Sequence, residues 1–401
     1  MKKFLALSMA AAMTLSLAAC SGGTSGSTSG SSNGSTGSDG DTIKIGLIAN
    51  TTGGNAQYGI AVKNGAMLYV DNLNEAGGIN GKQVEVIAYD DKGDPTEAAN
   101  AYNRMADEGV TAVIGAVLTG TTVAVADLAY NDNMPMITAS ATAPSVTLLE
   151  PEDPSQGIRE NVFRACFIDT FQGEKMAHYA ADRMGAQTAA VIFKTGDDYS
   201  EGLKNAFVET CAELGITVTS EQGYAAGDVD FKAQLTTIAN ENPDVVFCPN
   251  YYEDDGMIVT QARQVGVKST FLGGDGWPGV AGYASAEDLE GAAYCSGYGL
   301  GTNTEFETSY EEKYGEPITG MFEPLGYDAA LLILDAVASA EGQGLEAGSA
   351  DYKQAVIDAM KATNGTEGLT GTFSFDEYNN PIKSVSMIKL EGGVEKFSEQ
   401  Y

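Results

Sequence analysis

From Thr42 onward, short apolar runs with strand periodicity alternate with longer stretches of helical period, and that alternation leaves few ways to fold. Thr42-Ile43-Lys44-Ile45-Gly46-Leu47-Ile48 alternates at period two and then turns apolar. The next stretch places Val62, Ala66, Tyr69 and Leu73 at i, i+4, i+7 and i+11, one face of a helix that Gly77-Gly78 ends. Strand patterns recur over 83–89, 110–116, 134–138, 189–193, 244–247 and 270–272, with a helix over 95–107. Strands separated by single helices pair in parallel, with helices on both faces. They are too many for one sheet, and 401 residues leave room for about two domains. The expected fold is therefore α/β, two doubly wound parallel-sheet lobes, the second opening at Ala189-Ala190-Val191-Ile192-Phe193. A long helix is expected around 327–340. The block 370–376 followed by 385–390 predicts a closing hairpin.

The first forty residues are of another kind. Lys2 and Lys3 precede an apolar run from Phe4 to Ala19, too short to span a bilayer, which reads as a signal peptide over 1–19. Leu17-Ala18-Ala19-Cys20 resembles a bacterial lipobox, implying cleavage before Cys20 and lipid on its thiol. Residues 21–40 are Ser, Gly, Thr and Asn with a single Asp39, a composition that cannot offset ordering entropy. With Cys20 they form a tether over 20–40, reaching about 25 Å. The expected location is extracytoplasmic, on the outer face of the cell membrane.

Charge and motifs exclude more than they admit. Against 22 basic residues stand 55 acidic ones, a net charge of −33 that repels nucleic acid and anionic headgroups. Cys166, Cys211, Cys248 and Cys295 lie in apolar contexts without metal-like spacing, and their pairing cannot be read from the sequence. The one histidine, His178, cannot build a multi-histidine centre. Gly81-Lys82 fails as a phosphate loop because Gln83 follows, and no Gly-x-Ser-x-Gly elbow occurs. No cofactor, no metal and no catalytic residue is expected, and the chain does not read as an enzyme.

Four polar segments each follow a predicted strand, where the loops of open parallel sheets converge on ligands. Gly115-Ala116-Val117-Leu118-Thr119-Gly120-Thr121-Thr122 offers hydroxyls and free N–H groups at a helix start, suited to a carboxylate. Thr138-Ala139-Ser140-Ala141-Thr142-Ala143-Pro144 is again rich in hydroxyls. Either alone also suits a plain helix cap. Asn250-Tyr251-Tyr252-Glu253-Asp254-Asp255-Gly256 adds phenols, and Gly273-Gly274-Asp275-Gly276-Trp277-Pro278 sets a carboxylate among glycines. Desolvated there, Asp275 needs a cationic partner. Together the loops suit an α-amino acid zwitterion.

Across about 42–395 the sequence resembles the Leu/Ile/Val-binding family of type I periplasmic solute-binding proteins. The resemblance rests on Ile45-Gly46-Leu47, Ala56-Gln57-Tyr58-Gly59, Gly77-Gly78-Ile79-Asn80-Gly81 and Tyr89-Asp90-Asp91. Asp94-Pro95, Ile114-Gly115, Gln261-Ala262-Arg263 and Gly326-Tyr327-Asp328-Ala329 complete it. It implies lobes of 42–165 plus 298–370 and of 166–297 plus 371–401, joined by a multi-crossover hinge. It implies that Thr119 and Thr142 bind a ligand carboxylate, and that Ser140, through its carbonyl, and Thr142 help hold the ammonium. Asp275 is then the counter-charge, Tyr251 reaches in from the second lobe, Tyr58, Tyr199 and Phe322 line a side-chain pocket, and Asp169 falls near the hinge-side rim. To these we add Trp277, an aromatic two residues beyond Asp275 and so a candidate cap. Branched-chain binders often carry Glu where this chain has Asp275. Well-known members link the positions of Gly93 and Leu118 by a disulfide absent here, which leaves Leu118 to shape the pocket. The implied partners are a small zwitterionic amino acid, ABC permease subunits and, through lipid, the membrane; nucleic acid is not among them, and the protein is expected to be a monomer. The same fold binding an amide or aromatic acid, a sensor for a membrane receptor, and an extracellular enzyme stay open as alternatives.

Overall fold

A computed structural model describes residues 42–401. The signal peptide, Cys20 and the tether lie outside the described residues. The first sheet comprises β1 (Thr42–Ala49), β2 (Gln83–Asp90), β3 (Ala112–Ile114), β4 (Met136–Thr138) and β5 (Val162–Arg164), in the order β2-β1-β3-β4-β5. All its pairings are parallel. The inner strands Ala112-Val113-Ile114 and Met136-Ile137-Thr138 are buried at every residue, as strands covered on both faces must be. Helices α1 (Ala56–Glu75), α2 (Pro95–Asp107) and α3 (Thr119–Asn131) connect them. Asp94 starts α2 by accepting from the amides of Thr96 (2.8 Å) and Glu97 (3.0 Å), with Pro95 at the first helical position.

The second sheet repeats the design. After α4 (Asp169–Asp182) come β6 (Thr188–Lys194), α5 (Asp198–Leu214), β7 (Thr217–Tyr224), α6 (Lys232–Glu241), β8 (Val245–Phe247), α7 (Tyr252–Val265), β9 (Thr270–Gly273), α8 (Ala286–Leu289) and β10 (Ala293–Ser296). Their parallel order β7-β6-β8-β9-β10 is the first sheet's order again. The chain then adds α9 (Thr304–Tyr314), α10 (Phe322–Glu341) and α11 (Ala350–Lys361). Helix α10 lies along α1 so closely that only glycines fit at the crossing. A Cβ on Gly65 would fall 1.9 Å from the Glu323 carbonyl oxygen, and one on Gly326 would fall 2.2 Å from that of Val62.

The C-terminal region departs from the sequence reading. Residues 371–374 form β12, which pairs with β11 (Asn364–Gly368) in a separate two-stranded sheet. The run after it, β13 (Ser386–Glu391), pairs antiparallel with β10 and with the last strand, β14 (Val394–Gln400). The predicted hairpin is therefore split between two sheets: β13 is buried along most of its length and belongs to the second core, where β10 offers an open edge. Strands β5, β7, β10, β11 and β14 go beyond the sequence reading; β5 and β10 are buried throughout but only three and four residues long. Edge strand β7 reads Thr-Val-Thr-Ser-Glu-Gln-Gly-Tyr, mostly polar and only half-buried.

Candidate ligand-binding site

In both sheets the strand order reverses beside the first strand of the set, between β1 and β3 and again between β6 and β8. The crevice beyond the carboxyl ends of strands at such a reversal is where open α/β sheets place ligands. Tyr58 follows β1, Leu118 and Thr119 follow β3, Tyr199 follows β6 and Tyr251 follows β8. Ser140 and Thr142 follow β4, and Asp275 follows β9. With Phe322 from the start of α10, these residues enclose one cavity of about 260 Å³, counting the part open to solvent.

One wall is built of hydroxyls and backbone. Thr119 is the first residue of α3, whose Leu118 cap offers no side-chain acceptor, so first-turn N–H groups face the cavity end unpaired. The Ser140 hydroxyl is committed to the Val117 carbonyl at 2.9 Å and its amide to the Thr138 hydroxyl at 3.4 Å, leaving its carbonyl for other partners. Buried Arg164 supports this loop from below, donating to the carbonyls of Ala141 and Ala143 at 3.0 Å each. The Thr142 hydroxyl is buried and makes no hydrogen bond of ordinary geometry, lying near enough to the Asp169 carboxyl only to draw it down.

The facing wall is acidic. Asp275 is 3% exposed, and burial pushes its carboxyl up to about 7, opposed by the nearby Tyr199 hydroxyl and Gln172 amide. No lysine or arginine stands among the groups that shift it. Its amide donates to Gln172 Oε1 at 3.0 Å, and the following amide, of Gly276, donates to the Tyr199 hydroxyl at 2.8 Å. Glycine is required at 276: a Cβ there would meet the Asn250 carbonyl oxygen at 2.2 Å. Aromatic rings close the sides, Tyr58 stacking on Phe322 (4.2 Å) and Tyr199 on Tyr251 (5.1 Å between centroids).

Nine of the eleven residues singled out in the sequence line this cavity: Tyr58, Leu118, Thr119, Ser140, Thr142, Tyr199, Tyr251, Asp275 and Phe322. Two do not. Trp277 is no cap: its ring packs inward over Gly273 and its Nε1 donates to the Cys248 carbonyl at 2.8 Å, so it is fully buried beneath the loop. Asp169 is not on a rim. It starts α4 behind the cavity, fully buried, its amide donating to the Thr142 carbonyl at 3.1 Å. Burial holds its carboxyl well above the ordinary range, with Thr142 and Arg164 drawing it down and Asp275 adding to the rise. Neither of its carboxylate oxygens has a hydrogen-bond partner. The structure adds Val117 and Gly276 to the lining and Gln172 behind it. Gln172 sits mid-helix and carries no sequence signal; only tertiary packing brings it to the Asp275 loop.

The remaining candidates fall elsewhere. A Cβ on Gly93 would lie 3.3 Å from Leu118 Cδ1, so the two positions are neighbours. Cys166, Cys211, Cys248 and Cys295 are all buried free thiols. His178 is exposed on α4, beside an outer groove with Glu174 and Asp198. Among the described residues no group of His, Cys, Asp and Glu is placed to hold a metal ion, and no helix is long and apolar enough to cross a membrane.

The model of the family described as periplasmic binding protein matches residues 42–394. The leucine-, isoleucine-, valine-, threonine- and alanine-binding protein of Pseudomonas aeruginosa is 32% identical, over 84% of this chain and 86% of its own. A Leu/Ile/Val-binding protein of Rhizobium johnstonii, BraC3, is 31% identical, over 88% and 92%. Among solved structures, the leucine-binding protein LivK of Thermotoga maritima is 33% identical with a TM-score of 0.79, covering 89% of this chain and 98% of that one. LivJ of Streptococcus pneumoniae, in complex with isoleucine, is 31% identical with a TM-score of 0.79, covering 90% and 99%.

Proposed function

The chain belongs to the periplasmic binding protein family, and from that premise we propose that it captures a branched-chain or related amino acid between its two lobes for an ABC importer. The observation that carries this reading is Asp275. A carboxylate buried without a cation is costly, and an α-ammonium arriving in the cavity supplies the missing partner. The carboxylate of the same ligand would meet the opposite wall, where the uncapped α3 N-terminus and the hydroxyls of Thr119 and Thr142 line the cavity. The Ser140 carbonyl would share the ammonium. Stacked Tyr58 and Phe322, Tyr199 and Tyr251, with Leu118, would surround an apolar side chain.

Both lobes supply these groups, so a ligand makes all its contacts only when the lobes are closed, and it shifts the population toward that form. Driving a population from 1:99 to 99:1 needs about 5.5 kcal/mol of differential binding. A micromolar ligand supplies about 8 kcal/mol in all, enough to close the lobes. The protein acts outside the cytoplasm, as its family does. In this reading Cys20 carries lipid, the 20–40 tether keeps a monomeric body near the permease, and the two lobes exchange chain across the segments at about 165, 297 and 371. Calorimetry against the twenty amino acids tests the reading: a saturable signal with leucine, isoleucine or valine is expected, and no heat from any amino acid overturns it.

A further inference from the structure

We infer that the Tyr58 hydroxyl is an interlobe latch that caps helix α7 across the cleft and sets how readily the lobes close, whatever the ligand's side chain. This rests on the hinge-closure reading above but concerns a contact made by protein alone. Tyr58 stands on α1 of the first lobe, 2% exposed, its ring stacked on Phe322 of the same lobe. Its hydroxyl reaches the second lobe twice. It donates to the Gly276 carbonyl and accepts from the Tyr252 amide at 3.2 Å.

Both partners matter by position. Tyr252 is the first residue of α7, and its N–H is one of those a helix cannot satisfy internally. The cap residue Tyr251 provides no side-chain acceptor, so the phenol from the other lobe does the capping. Gly276 directly follows Asp275, and Tyr252 directly follows Tyr251. One hydroxyl thus ties down two of the lobe-two turns that carry cavity residues. Both partners are backbone groups, available in any closed molecule regardless of what the cavity holds. The phenol has one proton to donate, and it is committed to Gly276. Nearby, the Asn55 amide and Glu253 Oε1 approach at 3.4 Å, extending the seam along the same edge. Opening the lobes breaks these contacts together and leaves the α7 amide to water.

A contact present only in the closed form scales every ligand's apparent affinity by one factor, because it acts on the competent fraction. A residue that reads the ligand's side chain changes affinities unequally. Tyr58→Phe keeps the ring and its stacking and deletes only the oxygen. The full chain is labelled at Asn103→Cys and Thr237→Cys, exposed helix positions in opposite lobes, while the four described native thiols are buried. Pulsed electron-spin distance measurement on ligand-free protein then reads the closed-to-open ratio. Two lost hydrogen bonds should lower it by about 5- to 30-fold in Tyr58→Phe. Dissociation constants for leucine, isoleucine and valine should rise by one common factor. An unchanged ratio, or factors that differ from ligand to ligand, overturns the latch. Failure of all three amino acids to bind the parent overturns the amino-acid reading instead, and the distance comparison still decides the latch.

Discussion

The backbone amide of Asp275 donates to Gln172 Oε1 at 3.0 Å, so a helix that does not line the cavity holds the one carboxylate that does. Gln172 is fully buried, and its oxygen also accepts weakly from the Cys295 thiol at 3.4 Å. Replacing it with Leu strands the Asp275 N–H in a dry interior, at a cost of about 1–3 kcal/mol. We expect Gln172→Leu to weaken amino-acid binding by about 5- to 150-fold. Titration calorimetry checks this, and an affinity equal to the parent's would mean that the Asp275 turn holds its shape unaided.

Asp275→Asn keeps the shape and removes the charge. Breaking a buried ion pair by removing one partner costs about 3–5 kcal/mol, of which the ammonium bears the larger part once it is left unpaired. The expected loss for leucine is at least a hundredfold, whereas its des-amino analogue, which carries no ammonium, should lose little. Competition binding of both compounds to parent and variant measures the contrast. Equal losses would remove the proposed salt bridge.

How much of this was legible in the sequence follows from what makes each feature. The parallel sheets announce themselves because inner strands such as Val245-Val246-Phe247 are buried on both faces and must be apolar throughout. The cavity residues announce themselves because loops after such strands converge wherever the strand order reverses. Trp277 and Asp169 misled for one shared reason: neighbourhood along the chain does not say which way a side chain turns. Gly273 leaves a hollow under the loop into which the indole drops. Gln172 and the partners of the Tyr58 hydroxyl were invisible because segments distant in sequence supply them. The hairpin failed because β13 finds an open edge at β10, a preference that only the assembled sheet creates.

The thiols give a test of the core. Cys166, Cys211, Cys248 and Cys295 are buried, and burial pushes Cys166 and Cys211 up to about 12 and the other two upward as well. Neither access nor thiolate is available at neutral pH. A chromogenic disulfide reagent should find none of these four in native protein and all four in denaturant. Rapid reaction of any one in the native state would place that residue at a surface instead.

Acidity should move affinity and stability in opposite directions, and Asp275 supplies the reason. Its carboxyl is raised from 3.8 to about 7 in the folded protein, so the folded form binds a proton more readily than the unfolded chain. The sign follows: what protonation of Asp275 adds to stability is fully present below about 3.8 and lost as pH rises through about 7. Fully buried Asp169 and Asp255 are raised for the same cause and act in the same sense. Ligand behaves otherwise. An ammonium needs the ionised carboxylate, so below pH 7 affinity should fall, by up to about tenfold per unit, until the bound form itself protonates. Calorimetric dissociation constants for leucine between pH 5.5 and 8.5 would show the slope in the parent and a flat line in Asp275→Asn. Denaturation of the ligand-free pair over the same range would show the parent gaining on the variant as pH drops. If affinity holds constant from pH 8.5 to 5.5 in the parent, the group that meets the ammonium is not Asp275.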